Sequence, residues 1–162
     1  MAMDAFSASL MADKREIIFA PTVYKFQTFA QMAEEFQLNE RDVVLTNEFI
    51  YTPFMKELGL KCSFVFQEKF GAGEPSEAMI QTMYDAIPYD SYDRVIAVGG
   101  GAIMDLCKLL GCKRPDSVHE LYYKRFPVVH EKDVIAIPTT CGTGSECTNI
   151  SVAIVKTEID GQ

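Results

Sequence analysis

The chain has 162 residues, the length of one domain, and its 48% hydrophobic and 23% charged residues can build a core, which excludes wholesale disorder. Fifteen Lys and Arg against 23 Asp and Glu leave a net charge of -8 with no basic cluster, so neither DNA, RNA nor an anionic membrane surface is an expected partner. No apolar run approaches the roughly 20 residues that span a bilayer, and residues 1–12 lack the basic start and continuous apolar stretch of a signal peptide.

Residues 1–15 read as a loose N-terminus and 16–162 as one domain. A short apolar run at residues 17–19 is ended by Pro21, and residues 22–26 read as a second short strand. Residues 28–36 are helical, with Phe29, Met32, Ala33 and Phe36 at helical spacing. A buried strand follows at 42–45, ending at Thr46 and Asn47. Residues 49–58 read as a helix in which Pro53 is tolerable only near the first turn. Residues 62–66 form another strand and 71–75 a loop. Ser76 is an N-cap for a helix whose apolar stripe is Met79, Met83, Ala86 and Ile87. The strand at 94–98 runs straight into Gly99, Gly100 and Gly101. Ala102 opens a helix with Ile103, Leu106, Cys107 and Leu110 on one face. Residues 113–132 are polar and irregular, with a short helix near 118–122. A strand at 134–137 is closed by Pro138, residues 139–146 form a loop, and 148–156 reads as a last strand. Strands that alternate with helices, several of them apolar throughout, predict an α/β fold: a parallel sheet with helices on both faces.

Five cysteines, an odd number with no C-x-x-C spacing, fit reduced thiols in a cytoplasm rather than a disulfide framework or zinc cluster. Cys141 has no histidine nearby in sequence and reads as a small packing residue. His119 and His130 lie in the polar segment and read as surface residues rather than a metal pair.

Two stretches carry chemistry. Three glycines at a strand end remove every Cβ from the turn, so a pyrophosphate can lie against bare backbone, with the free N–H groups and dipole of the following helix favouring the anion. The alternative is a tight turn without ligand, and the spacing is not the usual G-x-G-x-x-G. Asp105, taken to lie in the first turn of that helix, either complements its dipole or holds the glycine loop and contacts a cofactor. The second stretch, residues 138–146, places Thr139, Thr140, Cys141, Gly142, Thr143, Gly144 and Ser145 beyond a strand's carboxyl end. Ligands of open α/β sheets bind there, although such a loop can also satisfy only its own backbone. Asn47 ends the earlier strand, where it either reads a ribose or caps the next helix.

The glycine turn followed by Asp105, taken with the Thr-Thr-x-Gly-Thr-Gly-Ser-Glu loop, resembles the paired motifs of the iron-containing alcohol dehydrogenases. The likeness runs from Ile18 to Val155. It implies a Rossmann-like N-terminal domain that binds NAD or NADP, and a helical C-terminal domain whose one Asp and three His hold iron or zinc. It also implies a small alcohol or aldehyde substrate and a homo-oligomer. The motif match puts the pyrophosphate on Gly99, Gly100, Gly101 and Ala102, and the ribose contacts on Thr139, Thr140, Thr143, Ser145 and Thr148, with Asn47 at the ribose-reading position. Three departures stand out. Ala102 replaces the usual Ser, Asn47 replaces the common Asp and leaves NAD against NADP open, and Glu74 precedes Pro75 where many members have Asn.

This chain holds no Asp-and-three-His set, so the resemblance predicts a cofactor domain without a catalytic metal of its own. Asp160-Gly161 reads as a hairpin turn whose returning strand is missing, which predicts a fragment of a longer polypeptide. A stand-alone nucleotide-binding module and a dehydroquinate-synthase-like lyase domain are the alternatives.

Overall fold

Four parallel strands form one sheet in the order β2-β1-β3-β4, with β1 at Asp42–Thr46, β2 at Ser63–Phe66, β3 at Arg94–Gly99 and β4 at Asp133–Pro138. The computed structural model describes residues 21–156. The expected strand at 17–19, the loose start at 1–15 and the Asp160-Gly161 turn lie outside them. The helices are α1 (Phe29–Glu35), α2 (Glu48–Phe54), α3 (Glu77–Ala86), α4 (Gly101–Leu110) and α5 (Val118–Tyr122).

Both faces of the sheet are covered, as a parallel sheet requires. Val43, Leu45, Val95 and Ala97 point to one face, packed against α3, α4 and α5 through Ile80, Met83, Leu106 and Leu110. Val44, Ile96 and Val98 point to the other, under Met32 of α1 and Ile50 of α2. The alternation follows from the two-residue period of a strand, and β1, enclosed on both sides, is buried along its whole length. The α/β fold with helices on both faces is thus borne out.

Local sequence explains most boundaries. Thr28 and Ser76 cap α1 and α3, each accepting a hydrogen bond from the N–H three residues on. At the far end of α4, Tyr84 donates its hydroxyl to Leu109 O at 3.0 Å and Tyr92 donates to Leu110 O at 2.8 Å, so two carbonyls the helix cannot satisfy find buried donors. Arg114 seals α3 similarly, donating to Tyr84 O and Ile87 O while its guanidinium lies 4.6 Å from the centre of the Tyr84 ring.

Several expectations fail for definable reasons. Residues 22–26 form no strand; Val23 and Tyr24 are exposed, and the Tyr24 and Phe26 rings lean on Phe36. Residues 148–156 form no strand either, apart from a single bridge between Ile154 and Ser76. The backbone groups a ladder would use are taken by side chains: Val152 N–H donates to Asp105, and Ile150 O accepts from Lys108. The helix expected over 49–58 stops at Phe54 and continues as a 3-10 turn, Lys56–Leu58. Pro53 sits in its last turn rather than its first, where it removes one N–H from the ladder, and the last bond of the helix runs from Met55 N–H to Tyr51 O at 2.9 Å. Ala86 is exposed, and the buried stripe of α3 is Met79, Ile80, Met83 and Tyr84.

At the amino ends of the strands, Arg94 and Asp42 stand in register and form a two-pronged ion pair, Nε to Oδ1 at 2.7 Å and Nη2 to Oδ2 at 2.8 Å. Asp42 is 2% exposed and also accepts the Asn39 N–H at 2.7 Å, while Arg94 donates to Phe36 O. The paired carboxylate holds the Arg94 guanidinium above its ordinary pKa. Replacing Asp42 by Ala leaves Arg94 half-buried and unpaired, and is expected to cost about 3 kcal/mol in urea unfolding. A loss below about 1 kcal/mol would mean that water replaces the carboxylate.

Candidate cofactor cleft

Strand order dictates where a ligand can sit. From β1 the chain passes through α2 to β2 on one side of β1, then returns through α3 to β3 on the other side. Right-handed crossovers place α2, which follows β1, and α4, which follows β3, on opposite faces, so the connections leaving β1 and β3 diverge and open a crevice at their carboxyl ends. Asn47 follows β1 at that crevice, and Gly99 and Gly100 end β3. Thr46 ties the two ends together, its hydroxyl donating to Val98 O at 2.8 Å.

The two motifs meet there. Thr139 N–H donates to Gly99 O at 2.9 Å, extending the β3–β4 ladder by one bond. The glycines differ in what they permit. A Cβ on Gly99 would lie 2.5 Å from Cγ1 of Ile103, so this glycine lets α4 pack close to its own strand. A Cβ on Gly101 would lie 3.1 Å from Cγ2 of Thr143. On Gly100 it would meet Thr140 only, at the ordinary contact distance of 3.4 Å. None of the three needs a left-handed backbone; Gly100, the N-cap of α4, has φ -82°. The helix opens at Gly101, one residue before Ala102.

Asn47 occupies the N-cap position of α2, yet its side chain makes no capping hydrogen bond. Asn47 is thus the N-cap by position without the capping bond, and its amide stands at the crevice with no partner among the described residues. Thr139 and Thr140 are exposed, and neither hydroxyl has a partner among the described residues. Together with Gly100 and Asn47 they line the upper rim of an open cleft of about 1750 Å³. The same cleft is lined by the apolar side chains of Phe26, Phe49, Ile135 and Ile137 and reaches Arg94 and Asp133 at the amino ends of the strands. Glu146 joins the rim, and its Oε2 is buried without a hydrogen-bond partner among the described residues. Glu146 ends the Thr-Thr-x-Gly-Thr-Gly-Ser-Glu motif, but its place in the sequence gave no sign of a buried, unpartnered oxygen.

Asp105 is not in the first turn of α4 but one turn further in, buried, so it does not serve the helix dipole. Its Oδ1 accepts from Ser145 Oγ at 2.6 Å and from Lys108 Nζ at 3.2 Å, and its Oδ2 accepts from Val152 N–H at 3.1 Å. It holds the Thr/Gly loop and the segment up to Val152, not the glycine turn. Ser145 is buried in that network, and Thr148, though exposed, accepts from Lys108 at 3.2 Å. Lys108 was missed in the sequence. Its position three residues after Asp105 on a helix signals an ion pair, but its reach into the loop does not follow from spacing.

Other candidates separate cleanly. Cys141 is exposed rather than packed, as is Cys147, while Cys62, Cys107 and Cys112 are buried and all five are free. Burial pushes the Cys62 thiol up to about 11 and raises those of Cys107 and Cys112, which keeps these three protonated at neutral pH. His130 is exposed, but His119 is half-buried, stacked on Tyr123, with Nδ1 3.1 Å from Glu77 Oε2. Among the described residues no three His, Cys, Asp or Glu side chains come together to hold a metal ion. No helix among them is long and apolar enough to cross a membrane.

Comparison with known proteins matches these features. The family model "Iron-containing alcohol dehydrogenase" matches residues 20–160. The 4-hydroxybutyrate dehydrogenase of Clostridium kluyveri is 46% identical over 137 residues, covering 85% of this chain and 37% of that protein. The mitochondrial hydroxyacid-oxoacid transhydrogenase of Homo sapiens is 37% identical over 87 residues, covering 49% of this chain and 19% of that protein. Among solved structures, an iron-containing alcohol dehydrogenase from Thermotoga maritima superposes with TM-score 0.60 at 25% identity, covering 78% of this chain and 37% of that one. A sulfoacetaldehyde reductase from Bifidobacterium kashiwanohense, crystallised with NAD+, gives TM-score 0.58 at 23% identity over 78% of this chain and 41% of that one, a likeness of fold. The chain thus spans little more than a third of the length of the first of these relatives. A parallel sheet of this order, with both motifs at its switch point and a family match over nearly all of its length, places the chain among the iron-containing alcohol dehydrogenases.

Proposed function

We propose that this chain is the dinucleotide-binding domain of an NAD(P)-dependent alcohol dehydrogenase. The substrate pair proposed for the whole protein is 4-hydroxybutyrate and succinate semialdehyde. The observation that carries the reading is the meeting of the glycine turn and the threonine loop at the switch point, with Gly100 open toward Thr140. The substrate is taken from the Clostridium kluyveri relative.

The rim fits a dinucleotide. Backbone N–H groups at Gly101 and Ala102 start a ten-residue helix and have no partner inside it, so they and the dipole suit a pyrophosphate. Ala102, without a hydroxyl, offers its N–H alone. The Asn47 amide and the Thr139 and Thr140 hydroxyls can meet ribose oxygens. Glu146 can accept only from a donor such as a hydroxyl or amide, and it repels phosphate. NAD(P), when bound, supplies the hydride acceptor. The residues of this chain bind and orient it. The metal implied by the family name finds no fitting ligand set among the described residues, and no step is assigned to it.

Four measurements test this reading. Gly100→Ala is expected to weaken NADH binding at least tenfold by calorimetry, with unfolding stability kept within about 1 kcal/mol, because its Cβ meets Thr140 only in ordinary contact. Gly99→Ala, which collides with Ile103, should instead destabilise the fold by about 1–3 kcal/mol. Wild-type affinity in Gly100→Ala would remove the pyrophosphate assignment. Asn47→Asp should move the affinity ratio toward NAD over NADP about tenfold by repelling the 2′-phosphate, and an unchanged ratio would take Asn47 out of the ribose site. The 162-residue chain, given 4-hydroxybutyrate, NAD and iron or zinc, should form no NADH, whereas a longer polypeptide bearing the missing ligands should; metal-dependent turnover by the chain itself would refute this.

A further inference from the structure

We propose that Lys108 is the positioning residue of the cofactor cleft, locking the loop after β4 so that some of its hydroxyls are spent and others are presented. The inference rests on the dinucleotide reading above. Lys108 lies on the flank of α4, where a lysine ordinarily extends into water. Here its ammonium turns inward with the side chain 17% exposed. Four acceptors surround it: Ile150 O at 2.6 Å, Ser145 Oγ at 2.7 Å, and Asp105 Oδ1 and Thr148 Oγ1 at 3.2 Å each. An ammonium has three N–H donors, so this environment uses its whole capacity.

The segment it holds has little structure of its own. Residues 143–152 make backbone bonds only within the turn at 144–148 and none to the rest of the described fold. The side-chain bonds that tie them down end on Lys108 or Asp105. Among the described residues the one other tie is the 3.4 Å approach of Tyr122 OH to Ser151 Oγ. Ser145 gives its proton to Asp105 and receives one from Lys108, which fixes its orientation inside the fold. Ser145 and Thr148 are therefore clamp residues rather than ribose contacts. With them pinned, Thr143 packs over Gly101 and Thr140 over Gly100, beside the helix N-terminus assigned to the pyrophosphate. The lysine acts through the loop and does not touch the cofactor.

The test is NADH calorimetry on the 162-residue chain, on Lys108→Met and on the double variant Lys108→Met/Asp105→Asn, with hydrogen exchange on each. The double variant removes both charges, so no buried carboxylate is left alone to unfold the protein. Expected are at least tenfold weaker NADH binding in both variants and faster exchange confined to residues 143–152. Lys108→Arg, which keeps the charge in a different shape, should recover part of the affinity. A purely structural lysine would lower the urea midpoint and leave the affinity of the folded protein unchanged; that result in either variant overturns the proposal. Failure of both variants to fold makes Lys108 a folding residue and overturns it too. If the unsubstituted chain itself fails to bind NADH, the dinucleotide reading falls and takes this role with it. Normal binding by both the unsubstituted chain and Lys108→Met overturns the positioning role alone.

Discussion

Everything at the cleft depends on the chain leaving β1 and β3 toward opposite faces of the sheet. Handed crossovers allow α2 to cover one face and α3 with α4 the other, and the divergence leaves the ends of these two neighbouring strands without a connection lying over them. Asn47 and Gly100 are then neighbours across the crevice although far apart in sequence. The Asp42–Arg94 pair secures the opposite ends of the same two strands in register. A one-residue slip of β1 against β3 would turn Val43 away from the face it shares with Val95 and carry Asn47 away from the glycine turn.

The glycines at the end of β3 divide between packing and access. Gly99 brings α4 against the strand, since Ile103 leaves no room for a Cβ. That close approach points the first turn of α4 at the crevice. Gly100, by contrast, has room for a methyl group, and folding does not explain its lack of one. A residue left small where the fold does not require it is stronger evidence for a ligand than one that packing explains. The threonine loop divides in the same way: Ser145 and Thr148 are consumed by Asp105 and Lys108, while Thr139 and Thr140 keep exposed hydroxyls.

The sheet was legible because buried parallel strands are written as short apolar runs. β1, β3 and β4 were placed within a residue or two, and α5 at its observed bounds. Helix α3 was found from Ser76, whose cap is local. The failures were decided by partners distant in sequence. Residues 148–156 have the composition of a strand, but Asp105 and Lys108 claim the backbone groups at 150 and 152, and propensity says nothing of that. Asp105 was expected in the first turn of its helix and lies one turn further in, because its place depends on the helix opening at Gly101 and its partner is in a loop some 40 residues away. Asn47 looked as much a cap as a ligand group from sequence, and that it takes the N-cap position without making the capping bond is visible only in the side chain's geometry. Glu146 had no legible signal, since a buried, unpartnered oxygen is a property of packing alone.

The electrostatics of the rim bear on how an acidic protein can hold an anionic ligand. The chain carries a net charge of -8, and the rim groups Asn47, Gly100, Thr139 and Thr140 are neutral, with Glu146 negative. Lys108, the first cation after the glycine turn, is spent on the loop, and Arg94, five residues before it, is paired with Asp42 at the far ends of the strands. Attraction for a pyrophosphate must then come from oriented backbone dipoles at the start of α4, equivalent to roughly half a positive charge and effective only within the first turn. Such a field is short-ranged and directional. It rewards a phosphate seated against Gly100 and Gly101 and offers little to one a few ångströms away, where the protein's overall charge repels it. On the proposed dinucleotide reading, selectivity for a correctly placed ligand over other anions would follow from that contrast, and the proposed placement of the loop by Lys108 would matter more than in a site lined with free lysines.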